Sequence, residues 1–231
     1  MTILISALAP IAAVIIYIYI KDKYEKEPKR LLIACFLFGG VVSIFLTTIL
    51  YLLFDFILPL PDKYNIIEQF ARAFFIVALT EEFSKYVIVR YFAQTRKAFN
   101  EPFDGIIYAV MVSMGFAAVE NIFYVIEGGL QAALLRAFTA VPAHATFGIL
   151  MGYFMGKAKF FDNRVRDNLL GLALAILFHG AYDFFLFINF IPGISIGAFI
   201  SLFIAIVLSK RAIKMHQEIS FFKHTKSVSK K

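Results

Sequence analysis

The chain of 231 residues has one cysteine, no tryptophan and few charged residues, which make up 17% of the total. The single thiol, Cys35, excludes an intramolecular disulfide and any metal site built from several cysteines. Without tryptophan, tyrosine is the aromatic residue left to mark a membrane interface. Sixty-one percent of the residues are hydrophobic and the mean hydropathy is +0.79, more than a soluble domain needs for its core. This composition predicts a membrane protein.

Apolar runs long enough to cross a bilayer, which takes about 20 residues, fill nearly the whole chain. They lie at residues 3–20, 31–54, 66–90, 104–127, 131–156, 168–188 and 192–209. We therefore expect an all-α, polytopic membrane bundle of about seven transmembrane helices. Residues 1–209 would form one transmembrane domain with an active-site core at about 66–188, and residues 210–231 a basic cytoplasmic tail.

Basic residues are distributed unevenly between the two sides of this predicted bundle. Residues 21–30, 90–100, 157–166 and the tail from 210 fall on one side and hold 19 of the 23 Lys and Arg residues. Only Lys63 falls in a connection on the other side. The bias predicts a cytoplasmic basic side, with the N-terminus outside and the C-terminus inside. The net charge of +7 then reflects orientation and not binding of nucleic acid.

The first apolar run is expected to be a retained membrane anchor. No basic residue precedes it, and no small-residue cleavage pattern lies ahead of Lys21, so it differs from a signal peptide.

Ionisable residues inside the apolar runs are the strongest indication of function, because such residues are rare in membranes and normally face the bundle interior. The third run contains Glu81, Glu82 and Lys85. Glu81 and Lys85 are four residues apart and share a helix face, whereas Glu82 points about 100° away. This spacing predicts that Lys85 neutralises one carboxylate and leaves the other free to act. A charge cluster that only joins helices is the structural alternative.

Three more runs contribute polar residues to the middle of the predicted bundle. These are Glu120 and Asn121 in the fourth run, His144 after Pro142 in the fifth, and His179 and Asp183 in the sixth. The proline is expected to kink its helix or to free a carbonyl near the imidazole. Their predicted depths, from about 14 to about 24 Å, are compatible with one buried site. A carboxylate base with imidazoles is what hydrolysis inside a membrane requires.

Charged residues nearer the outer ends of the predicted transmembrane helices are expected to lie at the membrane interface, where they could border a substrate entrance. Glu68 and Arg72 are four apart and predicted to pair, while Glu127 and Arg136 are predicted to lie toward the outer face.

Glycines at positions 148, 152 and 156 recur at four-residue spacing, which predicts close approach of a neighbouring helix.

Four short motifs resemble the PrsW family of bacterial membrane proteases, which is related to the CAAX prenyl endopeptidase or Abi superfamily. They are E-E-x-x-K at Glu81 to Lys85, G-F-x-x-x-E-N at Gly115 to Asn121, H-x-x-x-G at His144 to Gly148, and H-x-x-x-D at His179 to Asp183. The resemblance implies a multi-pass endopeptidase of the bacterial cell membrane. Its expected reaction is the first cut, on the extracytoplasmic side, of a membrane-anchored anti-sigma factor in an envelope-stress response.

Two positions depart from the CAAX enzymes, which have His where this chain has Glu120 and Asn where it has Asp183. An ionised Asp cannot donate a hydrogen bond to an oxyanion, whereas Asn can. Asp183 is therefore expected to stay protonated, to orient His179 or to bind a metal.

Two mechanisms use nearly the same residues. In the first, Glu81 or Glu82 is the general base, His179 carries a proton or stabilises the oxyanion, and His144 and Glu120 complete the site. In the second, His144, His179 and a carboxylate from Glu120 or Asp183 bind a divalent metal such as zinc, and Glu81 or Glu82 is the base. The second is weakened by the lack of an H-E-x-x-H signature. Lys85 and Asn121 are supporting residues in both.

A proton-coupled transporter or a non-proteolytic receptor or scaffold would also place charges in the bilayer. The repeated halves of many transporters are not visible in the sequence. A scaffold would keep signalling when Glu82 is replaced by glutamine, whereas a protease would accumulate uncut substrate.

Overall fold

The computed structural model describes residues 2–161 and 163–223, and the described chain is helical without strands. The helices are α1 (Thr2–Lys21), α2 (Lys29–Ile57), α3 (Ile66–Ala71 continuing through Arg72–Ala78 and Leu79–Ile88 to Val89–Ala93), α4 (Pro102–Phe138), α5 (Ala140–Phe160), α6 (Arg164–Phe187) and α7 (Ile196–Glu218). This confirms the all-α prediction.

Five helical stretches of the described chain are long and apolar enough to cross a membrane. One of them, Pro102–Phe160, contains both α4 and α5, and the charged helix α3 is not among the five. The expected count of seven crossings and the orientation of the termini therefore stay predictions.

In the part of the chain that the structure describes, three π-helical turns interrupt the regular helices. One lies at Gly39–Ser43 in α2, and two flank the Glu-rich part of α3, at Arg72–Ala78 and Val89–Ala93. A π-helical turn changes the number of residues per turn and so changes the direction in which the following side chains point. The side chains after Ala78 therefore point in a different direction from the one that an unbroken α-helix would give them.

Close packing of α5 on α4 depends on the glycines. A Cβ atom added to Gly152 would collide with the backbone of Gly105, and one added to Gly156 would collide with the carbonyl of Pro102. The predicted close approach at positions 148, 152 and 156 is confirmed. His144 lies on the same face as Gly148, four residues earlier, so the glycine-lined contact directs the imidazole toward α4.

A break at Gly129 divides α4. This glycine has φ 62° and ψ −154°, a conformation that residues with a Cβ rarely adopt. Residues 130–138 form helix beyond the break, and α5 begins at Ala140, later than the expected start at 131. The predicted kink at Pro142 is wrong, because this proline lies in the first turn of α5, where a missing N–H removes no helical hydrogen bond.

The four connections predicted to share one side do meet at one end of the molecule, which we call the basic end. Asn100 Nδ2 donates to Glu25 Oε1 at 3.1 Å, and Lys159 Nζ donates to the carbonyl of Gln94 at 2.8 Å. From the C-terminal region, Gln217 donates to the carbonyl of Lys21. The first part of the predicted tail, through Glu218, continues α7, and residues 224–231 lie outside the described residues.

A buried carboxylate at the basic end has a pKa well above its usual range. Glu27 follows α1, is 3% exposed and accepts a hydrogen bond from the Tyr108 hydroxyl. Burial, together with the negative charge of Asp104, raises the pKa of Glu27 to about 10. Burial also raises the pKa of Glu101 to about 7, against the opposing effect of a hydrogen bond from Ser220.

Replacing Glu27 with glutamine is expected to make folding less sensitive to alkaline pH. An unfolded Glu carboxyl has a pKa of about 4.3, so the folded state holds a proton that the unfolded state releases. The resulting stabilisation is complete below about pH 4.3 and is lost as pH rises toward 10. The thermal midpoint in detergent, measured from about pH 6 to about pH 9, should fall more steeply for the wild type than for Glu27→Gln.

The matched control is Glu127→Gln, which removes an exposed carboxylate and should keep the wild-type slope. Equal slopes for the wild type and Glu27→Gln would contradict the proposed protonation of Glu27.

Candidate active site

Lys85 contacts both glutamates of the third predicted segment. Its Nζ lies 2.7 Å from Glu82 Oε1 and 3.2 Å from Glu81 Oε2. The predicted pairing of Lys85 with Glu81 is confirmed, but the prediction that the other carboxylate is left free is wrong. Residues three and four apart on a helix are both within reach of a long side chain, and the flexible lysine uses both contacts.

The two glutamates differ in access. Glu82 is 0% exposed, and its Oε1 also lies 2.8 Å from His179 Nδ1. Glu81 is 9% exposed and lines a cavity, with 12% of its side-chain surface accessible. Glu81 is therefore the carboxylate that a water molecule or a substrate can reach.

Hydroxyl groups of α2 hold the helical turn of α3 that contains Glu81. Ser84 Oγ lies 2.6 Å from Ser43 Oγ and 2.7 Å from Thr47 Oγ1. Ser84 also donates to the Glu81 carbonyl at 2.8 Å. These contacts join α2 to α3 at the height of the charged residues and limit rotation of α3.

His144 reaches the site from α5. Its Nε2 lies 2.8 Å from Glu120 Oε2, and its Nδ1 lies 3.3 Å from Lys85 Nζ. A carboxylate only accepts and an ammonium only donates, so these partners favour the neutral tautomer with the proton on Nε2. The lone pair of Nδ1 then faces Lys85. Ser113 of α4 donates to the His144 carbonyl at 2.7 Å and fixes this part of α5.

His179 is held between two carboxylates. Besides its contact with Glu82, its Nε2 lies 3.2 Å from Asp183 Oδ2, as their four-residue spacing predicts. Its ring stacks on Phe147, with centroids 5.0 Å apart and an angle of 17° between the rings. These contacts fix the imidazole plane, and each ring nitrogen faces a carboxylate that can accept a hydrogen bond.

Arg136 belongs to the site although the sequence predicted it at the outer face. Its Nη2 lies 2.8 Å from Glu120 Oε2, and its Nε donates to Asn121 Oδ1 at 2.6 Å. Asn121 in turn donates to the Ala7 carbonyl of α1 at 2.6 Å. The break at Gly129 explains the difference, since a straight helix would carry Arg136 about 24 Å beyond Glu120. The Gly128-Gly129 pair was the sequence signal for it.

The ionisable residues surround one cavity of about 580 Å³. Glu81, Glu120, His144, His179 and Asp183 line it, together with Arg136. Four helices thus bring together the residues that the sequence predicted as one site. Of the other predicted members, Glu82 and Lys85 are buried next to this wall, and Asn121 holds Arg136 and α1 in place.

The predicted pair of Glu68 and Arg72 does not form. Glu68 Oε2 accepts from the Asp62 backbone N–H at 2.9 Å, while the Arg72 guanidinium donates to the Leu60 carbonyl. The π-helical turn begins at Arg72, so the regular four-residue register that the prediction assumed does not apply there.

A metal ion could be held by Glu81, Glu82 and His144, which offer ligand atoms within 4.8 Å of one another. No other such group occurs among residues 2–161 and 163–223. Two carboxylates and an imidazole are suitable zinc ligands, and the buried Glu82 Oε2 has no hydrogen-bond partner. The donor set therefore fits. It shares only His144 with the metal ligands predicted from the sequence.

The Lys85 ammonium occupies the centre of that donor group. Its Nζ is 3.3 Å from His144 Nδ1 and contacts both glutamates. Two cations cannot share this position, so binding of a divalent ion requires Lys85 to move.

Comparison with known proteins agrees with the geometry of the site. The family described as PrsW family intramembrane metalloprotease matches residues 27–214, which include every residue of the cavity named above. "Protease PrsW" of Oceanobacillus iheyensis is 40% identical over 187 residues, covering 80% of this chain and 83% of the relative. The proteins of the same name from Geobacillus kaustophilus and Bacillus subtilis are 39% and 35% identical, covering 79% and 78% of this chain and 79% and 81% of their own. No solved structure matches the chain.

Proposed function

The chain belongs to the PrsW family of intramembrane metalloproteases, and we propose that it makes the first, site-1, cut in a membrane-anchored anti-sigma factor during envelope stress. It is a peptidase and a multi-pass membrane protein. The substrate class follows from the resemblance of its four motifs to the family. The observation that carries the proposed chemistry is the accessible Glu81 carboxylate in a cavity that His144 and His179 also line.

The proposal includes seven crossings, with the basic end in the cytoplasm and the N-terminus outside. The uneven distribution of Lys and Arg supports this orientation, as do the contacts that join the basic connections at one end. The cavity wall reaches Arg72 and Phe187, next to the connections at residues 58–65 and 188–195. With the basic end inside, this part of the cavity faces the extracytoplasmic side, where a site-1 cut is expected.

Glu81 is the proposed general base. Its carboxylate removes a proton from a water molecule as the water oxygen attacks the scissile carbonyl, and the adjacent Lys85 ammonium offsets the negative charge of the site. Glu82 is the less suitable base, because it is fully buried and its Oε1 already contacts Lys85 and His179.

His179 is the proposed proton carrier for the leaving amine. It lines the cavity, and a protonated imidazole can donate to both carboxylates that face its two nitrogens, Glu82 and Asp183. Asp183 then orients the imidazole, and so it does not have to donate to the oxyanion as an Asn would.

Arg136 and Glu120 are proposed to hold His144 in place. Glu120 Oε2 accepts hydrogen bonds from Arg136 Nη2 and from His144 Nε2, both at 2.8 Å. If a divalent ion such as zinc were bound by Glu81, Glu82 and His144, Glu81 would be a ligand instead of the base, and the ion would supply Lewis-acid polarisation of the scissile carbonyl.

Co-expression with a membrane-anchored anti-sigma factor, tagged at both ends, tests the proposed substrate. Immunoblots should show a shortened fragment that keeps the cytoplasmic tag in cells with the wild type. Cells with Glu81→Gln, at matched protein level, should show only the intact factor. A second membrane-anchored reporter is expressed in the same cells. If the wild type cuts this reporter but leaves the anti-sigma factor intact, the proposed substrate class is rejected and the peptidase assignment stands.

A further inference from the structure

A second cavity adjoins the active-site cavity at the end opposite the basic end, and we call it the outer cavity. It has a volume of about 500 Å³ and lies between the connections at 58–65 and 188–195. Its wall shares Arg72, Leu186 and Phe187 with the active-site cavity. A peptide that entered from this end would therefore pass Arg72 before it reached the catalytic groups.

The outer cavity has an excess of hydrogen-bond donors and positive charge. Its wall contains Lys63 and Arg72 and the amide side chains of Gln69 and Asn189. No carboxylate contributes to this wall among the residues that the structure describes. The active-site cavity differs, since Glu81 and two other carboxylates line it. The outer cavity is thus suited to an anionic or carbonyl-rich group.

Arg72 differs from the other cations that contact the site. Lys85 and Arg136 form ion pairs with glutamates, whereas no described carboxylate lies within ion-pair distance of Arg72. Its guanidinium donates to the Leu60 carbonyl, and the side chain is only partly buried. A guanidinium has five N–H donors in a planar arrangement, so most of them are left for a ligand. A carboxylate is the group that accepts two of them in parallel.

The distance along α3 sets where such a ligand would lie. Arg72 precedes Glu81 by nine residues, which corresponds to about 14 Å at the rise of an α-helix. An extended peptide advances about 3.3 Å per residue, so about four residues bridge the two positions. The π-helical turn between them and the length of the arginine side chain widen this to about three to five residues.

We propose that Arg72 binds an acidic side chain of the protein substrate that lies about three to five residues from the cut bond. The inference rests on the proposed proteolysis and adds a specificity determinant to it. Arg72 thereby selects substrates and sets where the cut falls, without a role in breaking the bond.

A charge exchange between enzyme and substrate tests this proposal. Purified wild type, Arg72→Gln and Arg72→Glu are assayed in liposomes with the tagged anti-sigma factor. In parallel substrates, each Asp or Glu within six residues of the mapped cut, on either side, is changed to Lys. We expect Arg72→Gln to lower kcat/KM by about 10- to 100-fold, the usual effect of losing a charged hydrogen bond. Arg72→Glu should lower it further.

Arg72→Glu should recover cleavage of one Lys-substituted substrate, the one in which the lysine lies three to five residues from the cut bond. A structural role of Arg72 at the Leu60 carbonyl would not produce this recovery. Arg211→Glu is the matched control, because its side chain is exposed and lines neither cavity, and it should cut like the wild type.

The outcomes separate this proposal from the one it rests on. No cleavage by the wild type would reject the anti-sigma factor as substrate. Cleavage by the wild type with equal kcat/KM for Arg72→Glu would overturn the role of Arg72. Reduced activity that no Lys substrate recovers, and that changes instead when anionic lipid is omitted from the liposomes, would also overturn it and indicate a lipid phosphate as the ligand.

Discussion

Replacing Glu81 with glutamine is expected to abolish proteolysis while the fold is retained. Glutamine has the same size but cannot accept the proton of the attacking water, and removal of a general base typically lowers a rate by about 10²- to 10⁴-fold. Lys85 keeps its shorter contact, 2.7 Å, with Glu82, so the buried ammonium stays paired. Cleavage of the tagged substrate and thermal unfolding in detergent, measured on the same preparation, check both parts.

The metal content of the same samples separates the two roles that Glu81 can play. Lost activity with unchanged metal content would identify Glu81 as the base, whereas loss of both would identify it as a ligand. Glu127→Gln, which changes an exposed carboxylate outside the cavity, is the control and should cut normally. Wild-type cutting by Glu81→Gln would reject both roles.

Replacing Lys85 with methionine is expected to have the largest effect on stability. Lys85 is 1% exposed and is the cation between Glu81 and Glu82, with His144 at 3.3 Å. Methionine fills similar space but leaves two buried carboxylates facing each other. Removing one partner of a buried ion pair typically costs about 3–5 kcal/mol. Unfolding of the variant by SDS in mixed micelles, followed by circular dichroism, measures this loss.

Two further variants identify the cause of the loss. Lys214 and Glu218 have the same four-residue spacing but are exposed, 3.8 Å apart, so Lys214→Met should change stability by only about 0.3–0.5 kcal/mol. Combining Lys85→Met with Glu82→Gln should recover part of the loss, because one uncompensated charge is removed. A double variant no more stable than Lys85→Met would show that packing, and not charge, explains the effect.

Zinc gives an additional readout on Lys85→Met. Since the ammonium occupies the centre of the candidate metal ligands, its removal should let added zinc stabilise this variant more than the wild type. Equal stabilisation of both proteins would argue against Glu81, Glu82 and His144 as the ligands.

Part of the site could be predicted from the sequence because some of its contacts are local to single helices. The four-residue spacing of His179 and Asp183 predicted their contact. The glycines after His144 predicted the close helix packing that directs the His144 imidazole toward α4. The high cost of charge in a bilayer indicated that the polar residues of separate helices would face one interior.

The sequence by itself determined the membrane class, the all-helical architecture and the residues that meet in the bundle, because hydropathy and helical periodicity act over short stretches of chain. Only the tertiary structure decided which glutamate is accessible, that Arg136 turns back to Glu120, and that Arg72 has no carboxylate partner among the described residues. The physical reason is that a π-helical turn and one glycine with positive φ redirect the helices. Small changes of backbone angle there move distant side chains by many ångströms, and periodicity along a single helix carries no information about them.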